Sequence, residues 1–257
     1  MRVVQRGVGM LFLLALVIVP MGLQAQDDDA ITVVGSGIVN PVLDIIANES
    51  ELDVTINSEI TGTDAGFEQF CLGEATITTA TRPITLDEES SCTTNQVEYD
   101  EYLIGHNILT FVTNNEFEAL ECLETGILNT ILAPSASGVI NSWNDVGLTG
   151  IDGDAPITVY VPPENTALYV MLDELIDGFG LRSDVNVVET SDGILNAVAD
   201  ESFALGVVSQ NAVTDAIRSV QFSASPELGC AEPTAENVEN QRYVAADRLL
   251  VYVNRTA

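Results

Sequence analysis

Three short stretches of this chain combine glycine with serine or threonine in a way that suits anion binding. They are Gly35-Ser36-Gly37-Ile38, Gly62-Thr63-Asp64-Ala65-Gly66 and Thr79-Ala80-Thr81-Arg82-Pro83. Glycine lets a backbone turn sharply and come close to a ligand. The first N–H groups of a helix lack intrahelical partners and carry partial positive charge, so an oxyanion placed there is held without any lysine. Ser36, Gly37, Ile38, Thr63, Asp64, Thr81 and Arg82 are therefore candidate ligand contacts, with Arg82 the one guanidinium in such a turn. Other chemistry fits poorly. Ser36 is preceded by Val33-Val34-Gly35, so the Gly-x-Ser-x-Gly nucleophile elbow is absent. A Ser-His-Asp triad would need His106, the single histidine, for which a structural or surface role is expected. Asp152 and Asp154 flank Gly153 like a fragment of a calcium loop, but the rest of the twelve-residue pattern is missing. No catalysis, no cofactor and no metal are expected.

The elements that must position these turns read as alternating strands and helices. Ile31–Val34 is a β-rich run ending at the first turn, and Val42 to Asn48 has a helical apolar pattern. Asp53–Asn57 alternates like a strand, and a helix through Phe67 and Phe70 follows the second turn. Ala75–Thr79 is a third strand, and Thr85 with the acids Asp87 and Glu88 reads as an N-cap and first turn. Further along, strands are expected at 107–112, 157–161, 185–188, 204–209 and 248–253, and helices at 119–132, 164–179 and 191–198. Such alternation predicts an α/β fold with a parallel sheet covered on both faces. Two such units predict two lobes with a ligand cleft between them. In open sheets of this kind ligands sit at the carboxyl ends of strands, where all three turns fall.

Composition narrows the function class. The 257 residues carry 39 Asp and Glu against 8 Arg, with no lysine, for a formal net charge of −31. A surface this negative repels phosphate backbones and anionic membranes. Without lysine, Schiff-base catalysis and a Walker-type loop are excluded, and with one histidine so are multi-His metal sites. With 46% hydrophobic residues and a mean hydropathy of +0.24, the chain can still bury a large core. Arg2 and Arg6 precede an apolar run from Val8 to Pro20, and small residues lead to Ala25. This reads as a signal peptide over residues 1–25, shorter than the roughly 20 apolar residues of a spanning helix. Its removal takes two Arg and no acid, leaving a formal charge of −33. No lipid-anchor cysteine follows, so a periplasmic or secreted location is expected. There Cys71, Cys92, Cys122 and Cys230 are expected to form two disulfides. Spacing leaves three pairings open, and the lack of a C-x-x-C pair argues against zinc.

The order of motifs carries a family resemblance. Gly35-Ser36-Gly37, then Gly62 to Phe67, then Phe70-Cys71-x-Gly73-Glu74-Ala75-Thr76-Ile77, then Ala80-Thr81-Arg82-Pro83-Ile84 resembles the periplasmic phosphate-binding proteins of ABC-type phosphate transporters. Cys122, Trp143-Asn144-Asp145, Ala204-Leu205-Gly206-Val207-Val208 and the segment from Tyr243 to Val253 extend the likeness over the mature chain. The resemblance implies a two-lobed, type II periplasmic-binding-protein fold, with lobe 1 from 26–106 and 210–257 and lobe 2 from 107–209. It implies Ser36 and Ile38 in a first anion loop, Thr63 in the place of a loop serine, and Thr81 with Arg82 as the Ser-Arg pair that contacts phosphate. It also implies pairing of Cys71 with Cys92 and of Cys122 with Cys230. The second lobe departs from the pattern. Where the family has an arginine and an Asp-Gly-Ser-Gly-Thr loop, this chain reads Val161-Pro162-Pro163-Glu164-Asn165-Thr166-Ala167. Proline offers no N–H and Glu164 would repel a dianion. Asn165 and Thr166 remain as possible donors, or as caps of the next helix.

Two functions of different class follow. The first is a monomeric solute-binding protein that takes phosphate or a related small oxyanion and feeds an ABC permease. The second is a repurposed domain of the same fold that has lost phosphate binding and recognises another solute or a protein partner.

Overall fold

The computed structural model describes residues 30–49, 55–151, 153 and 155–257. The expected signal peptide and the pair Asp152 and Asp154 lie outside them. Strands and helices alternate through β1 (Ala30–Gly35), α1 (Asn40–Glu49), β2 (Thr55–Ile60), α2 (Thr63–Cys71), β3 (Ile77–Ala80) and α3 (Leu86–Thr94). The long β4 (Tyr99–Asn114) leads to β5 (Cys122–Glu124), α4 (Thr125–Leu132), β6 (Thr158–Val161) and α5 (Ala167–Leu175). Then come β7 (Asn186–Val187), α6 (Ser191–Asp200), β8 (Ala204–Ser209), β9 (Ile217–Ser223), α7 (Ala235–Glu239) and β10 (Ala246–Asn254).

The sheet order is β2-β1-β3-β10-β4-β8-β6-β7, with β9 on β4 and β5 on β9. The β2, β1 and β3 strands run parallel, as do β8, β6 and β7. Two strands break the expected all-parallel pattern. β10 is antiparallel to both β3 and β4, and β4 is antiparallel to β8 and β9. The chain crosses between lobes along β4, and a crossing strand that returns beside its outward path must run against it. The helix expected over 119–132 is shorter, because β5 takes residues 122–124 into a parallel pair with β9. Cys122 therefore sits on a strand, bonded to Cys230.

Two of the three hydrophobic clusters among the described residues mark the lobes. In the first, Phe67, Phe70, Leu250 and Tyr252 pack around the Cys71–Cys92 disulfide. Edge-to-face contacts link Tyr252 to Phe67 at 4.9 Å and to Tyr99 at 5.5 Å. In the second, Phe117 meets Trp143 at a tilt at 5.5 Å and Phe203 edge-to-face at 5.2 Å, and the Trp143 indole donates to the Phe203 carbonyl at 2.8 Å. This core also takes in Val220, Phe222, Ala231, Val238 and Tyr243. The hydrophobic contacts thus assign most of 210–245 to the second lobe rather than the first. The chain returns to the first lobe along β10, because β9 pairs with β4 and β5 instead of with β3.

Two glycines bring the first turns together. Gly35 ends β1 at φ +119°, and a Cβ there would lie 2.2 Å from the Thr79 carbonyl oxygen. On α2, a Cβ at Gly66 would lie 2.7 Å from Gly35 Cα and 2.8 Å from Thr78 Oγ1. Helix α2 therefore rests backbone-on-backbone against β1, with its N-terminus beside the turn that follows β1.

Candidate functional site

A cavity of about 490 Å³ lies between the lobes. The first lobe contributes Ser36, Gly37 and Ile38 after β1, Gly62 and Thr63 at the start of α2, Thr81 after β3, and Asp247 on β10. The second contributes Asn165 and Thr166, then Ala167, Val170, Met171 and Glu174 along one face of α5. The spacing of three and four residues puts those four side chains on a single stripe.

The turn after β1 is held tightly. Ser36 N–H donates to the Thr79 hydroxyl at 2.8 Å and to its carbonyl at 3.1 Å. The Thr79 hydroxyl donates to Asn40 Oδ1 at 2.5 Å, and the Asn40 amide donates to the Glu59 carbonyl at 2.9 Å. Ser36 is 4% exposed, and its Oγ accepts from Ile38 N–H at 3.2 Å. Its hydroxyl hydrogen keeps no acceptor among the described residues. Asn40, fully buried, is the positioning residue that the sequence reading missed. Its one signal is a polar side chain at the inward position of an otherwise apolar helix start.

Helix α2 begins at Gly62 with no side-chain cap. The N–H groups of Thr63, Asp64 and Ala65 thus remain unspent, with the helix dipole behind them. Thr63 and Thr81 face each other, with hydroxyls 3.3 Å apart, and Thr81 N–H donates to Thr63 Oγ1 at 3.2 Å. Across the cleft, Thr166 caps α5. Its hydroxyl accepts from Tyr169 N–H at 3.3 Å and donates to the Pro163 carbonyl at 2.7 Å. Capping uses up that side chain, while Asn165 lines the cavity with its amide uncommitted among the described residues.

Seven of the nine expected contact residues line this one cavity, and Asp64 and Arg82 do not. Arg82 is held in a three-way ion pair. Its guanidinium meets both Glu88 carboxylate oxygens at 2.9 and 2.7 Å and Asp64 Oδ1 at 2.5 Å. It also lies 5.4 Å over the Phe67 ring. Burial works to raise the Glu88 carboxyl, but bonds from Arg82 and from Thr85 outweigh it and hold the pKa below the usual carboxylate range. Glu88 closes the α3 capping box with Thr85 as well. Arg82 is therefore neutralised by its own lobe, and no Arg, Lys or His lines the cavity.

The acids of the cleft are not those expected. Glu164 is exposed and outside the lining, whereas Glu174 and Asp247 line it. Neither carboxylate has a hydrogen-bond or ion-pair partner among the described residues. Burial, with the Glu174 charge nearby, pushes Asp247 up to about 6. A hollow of about 550 Å³ lies elsewhere, beside Arg218 and Glu232. Its arginine is committed to the carbonyls of Phe117 and Leu120, and none of the three turns reaches it.

A family model described as a PBP superfamily domain matches residues 23–256. Among curated proteins, Protein SphX of Synechocystis sp. is 29% identical over 239 residues, covering 90% of this chain and 70% of that one. The phosphate-binding protein PstS of Staphylococcus saprophyticus is 24% identical over 227 residues, covering 86% of this chain and 68% of that one. A second Protein SphX, from Synechococcus elongatus, is spanned over 52% of its length. Among solved structures, a possible phosphate binding protein from Planctomyces limnophilus superposes with a TM-score of 0.75 at 26% identity. That match covers 88% of this chain and 82% of the other. An ABC-type phosphate transport receptor from Vibrio cholerae shares the fold, with a TM-score of 0.64, 20% identity, and coverage of 88% and 87%. The two-lobed, type II periplasmic-binding-protein fold and the disulfide pairing implied by the sequence resemblance both hold.

Proposed function

The chain belongs to the PBP superfamily, and on that premise we propose that it is an exported, non-enzymatic solute-binding protein for phosphate or a related small oxyanion. The observation that carries this reading is the convergence of two helix starts and the Ser36 turn on one cavity. Unspent N–H groups and hydroxyls are the donors a dehydrated oxyanion needs, and they act at short range. The names of the PstS and Planctomyces relatives, and their share of this chain, support phosphate as the first ligand to try. Closure of the lobes over the ligand would present a distinct surface to an ABC permease, the partner that this role requires. Ser36, Gly37, Ile38, Thr63, Thr81 and Asn165 are the proposed contacts. Thr166 acts through its cap, and Asp64 with Arg82 fixes the α2–α3 edge of the site.

The test is calorimetric titration of protein refolded free of ligand with phosphate, sulfate, molybdate and tungstate. Saturable one-to-one binding of phosphate is expected, and no heat from any of the four at millimolar concentration would refute the reading. The unpartnered Glu174 and Asp247, with the neutralised Arg82, favour a second reading in which the fold has been turned to a solute that is not a simple dianion. Binding of cations or neutral organics without binding of phosphate would select it.

A further inference from the structure

The cavity has two unlike ends. At one, Ser36, Thr63 and Thr81 offer hydroxyls and helix-start N–H groups with no cation among them. At the other, Glu174 and Asp247 present two carboxylates with no partner among the described residues. Between them, Ala167, Val170 and Met171 form an apolar strip on α5. A smaller hollow of about 130 Å³ shares Met171, Glu174 and Asp247 and continues the acidic end toward Leu175 and Val244.

Resting on the oxyanion reading above, we infer that this cavity takes a small zwitterion: a phosphoryl or phosphonyl group joined through a short carbon chain to an ammonium group. The oxyanion sits at the Ser36, Thr63 and Thr81 end, the carbon chain lies on the α5 strip, and the ammonium meets Glu174 and Asp247. Four lines of physical reasoning lead there. A phosphate dianion alone would face two like charges across the cleft, with no lining cation to offset them. An ammonium on the same ligand turns that repulsion into two ion pairs, so the carboxylates select for the zwitterion and against the simple anion. The volume of about 490 Å³ falls in the range of about 300–1,000 Å³ typical of sites for small organic molecules, well above the need of a five-atom anion. Finally, Ser36 is 4% exposed and lines the oxyanion end with its hydroxyl hydrogen unclaimed, a buried donor waiting for an acceptor.

The experiment compares inorganic phosphate, ethylphosphonate and 2-aminoethylphosphonate by calorimetry at pH 7.5. The two organic ligands differ by one ammonium group. Wild-type protein is expected to bind the amino compound at least about tenfold more tightly than ethylphosphonate, a difference of about 1.4 kcal/mol. In the double variant Glu174→Gln/Asp247→Asn that preference is expected to shrink to within about twofold, while phosphate binds more tightly because two like charges are gone. The single variant Glu174→Gln, at an exposed position, is expected to lose part of the preference, and melting curves check that both variants are folded. Equal binding of the two phosphonates by wild-type protein overturns the inference, as does a preference that survives the double substitution. If phosphate still binds in those cases, the oxyanion reading stands alone. If none of the three ligands binds, both fall together.

Discussion

Asp247 shows how one side chain records both stability and function. Its carboxyl is pushed up to about 6 by burial and by Glu174, so the folded state holds its proton more tightly than the unfolded chain does. The ionised form therefore costs stability above pH 6, and that cost disappears as pH falls toward the unfolded value near 3.8. Asp247→Asn should raise the melting temperature by a few degrees at pH 7.5, about 1–3 kcal/mol, and change it little at pH 4. A drop at pH 7.5 would mean that the carboxylate has a stabilising partner. Glu88 has the opposite sign. Its lowered pKa gives stability that is present above the unfolded value of about 4.5 and is lost as pH falls through the folded one. Glu88→Gln should cost about 0.5–1 kcal/mol at pH 7 and progressively less as pH falls below about 4.5, read from denaturant midpoints. At this scale the sequence was partly legible. Ser36, Ile38, Thr63 and Thr81 stand next to the glycines or the strand end that make their turns, so local composition marks them. Glu174 and Asp247 were not legible, because one lies on a helix face and the other in a strand, and only the meeting of the lobes puts them in the same space. Arg82 was readable as a base in an anion turn. Its capture by Asp64, 18 residues away, was not.

Among the elements, α2 is seated backbone-on-backbone against β1. Because a Cβ at Gly66 would meet backbone at Gly35, Gly66→Ala must lift the helix start off β1. A loss of about 1–3 kcal/mol is expected, with weaker oxyanion binding even though residue 66 does not line the cavity. Unchanged affinity in the folded variant would detach the α2 N-terminus from the site. The disulfides should differ in weight. In a chain-entropy model, the 21-residue separation of Cys71–Cys92 contributes about 3 kcal/mol and the 108-residue separation of Cys122–Cys230 about 5 kcal/mol. Paired Cys→Ser substitutions, compared by denaturant melts, should rank in that order. Strands such as β8, read at Ala204–Ser209 from the sequence, were legible because a buried strand between two turns shows as a short apolar run. The segment 119–132 misled because Leu120, Leu123, Ile127, Leu128 and Ile131 have helical spacing, yet residues 122–124 pair with β9 far along the chain. Long-range pairing of that kind, like the antiparallel β10, leaves little trace in a local window.

For the whole molecule, the net charge of −31 and the proposed anionic ligand are compatible because they act over different ranges. Distant surface acids are screened within about 8 Å at physiological salt, while the donors at Ser36, Thr63 and Thr81 act at contact. The net charge should still slow anion entry. Raising salt from about 10 to about 150 mM should therefore leave phosphate affinity unchanged or improve it, and a steep loss with salt would point to a basic site elsewhere. The lobe count was legible from two runs of alternating strands and helices. The return point near Ala246 was not, because Val220, Phe222 and Tyr243 carry no mark of which core they join. The central claim is that the Ser36 turn, Thr63 at the start of α2 and Thr81 after β3 form an oxyanion site. Equilibrium dialysis with radiolabelled phosphate, comparing ligand-free wild type with a folded Ser36→Ala/Thr81→Val variant, tests it most directly. The account predicts one phosphate per wild-type chain and at least about tenfold weaker binding in the variant, the loss expected for hydrogen bonds to a charged group. Absence of binding by the wild type, or equal binding by the two proteins, would contradict it.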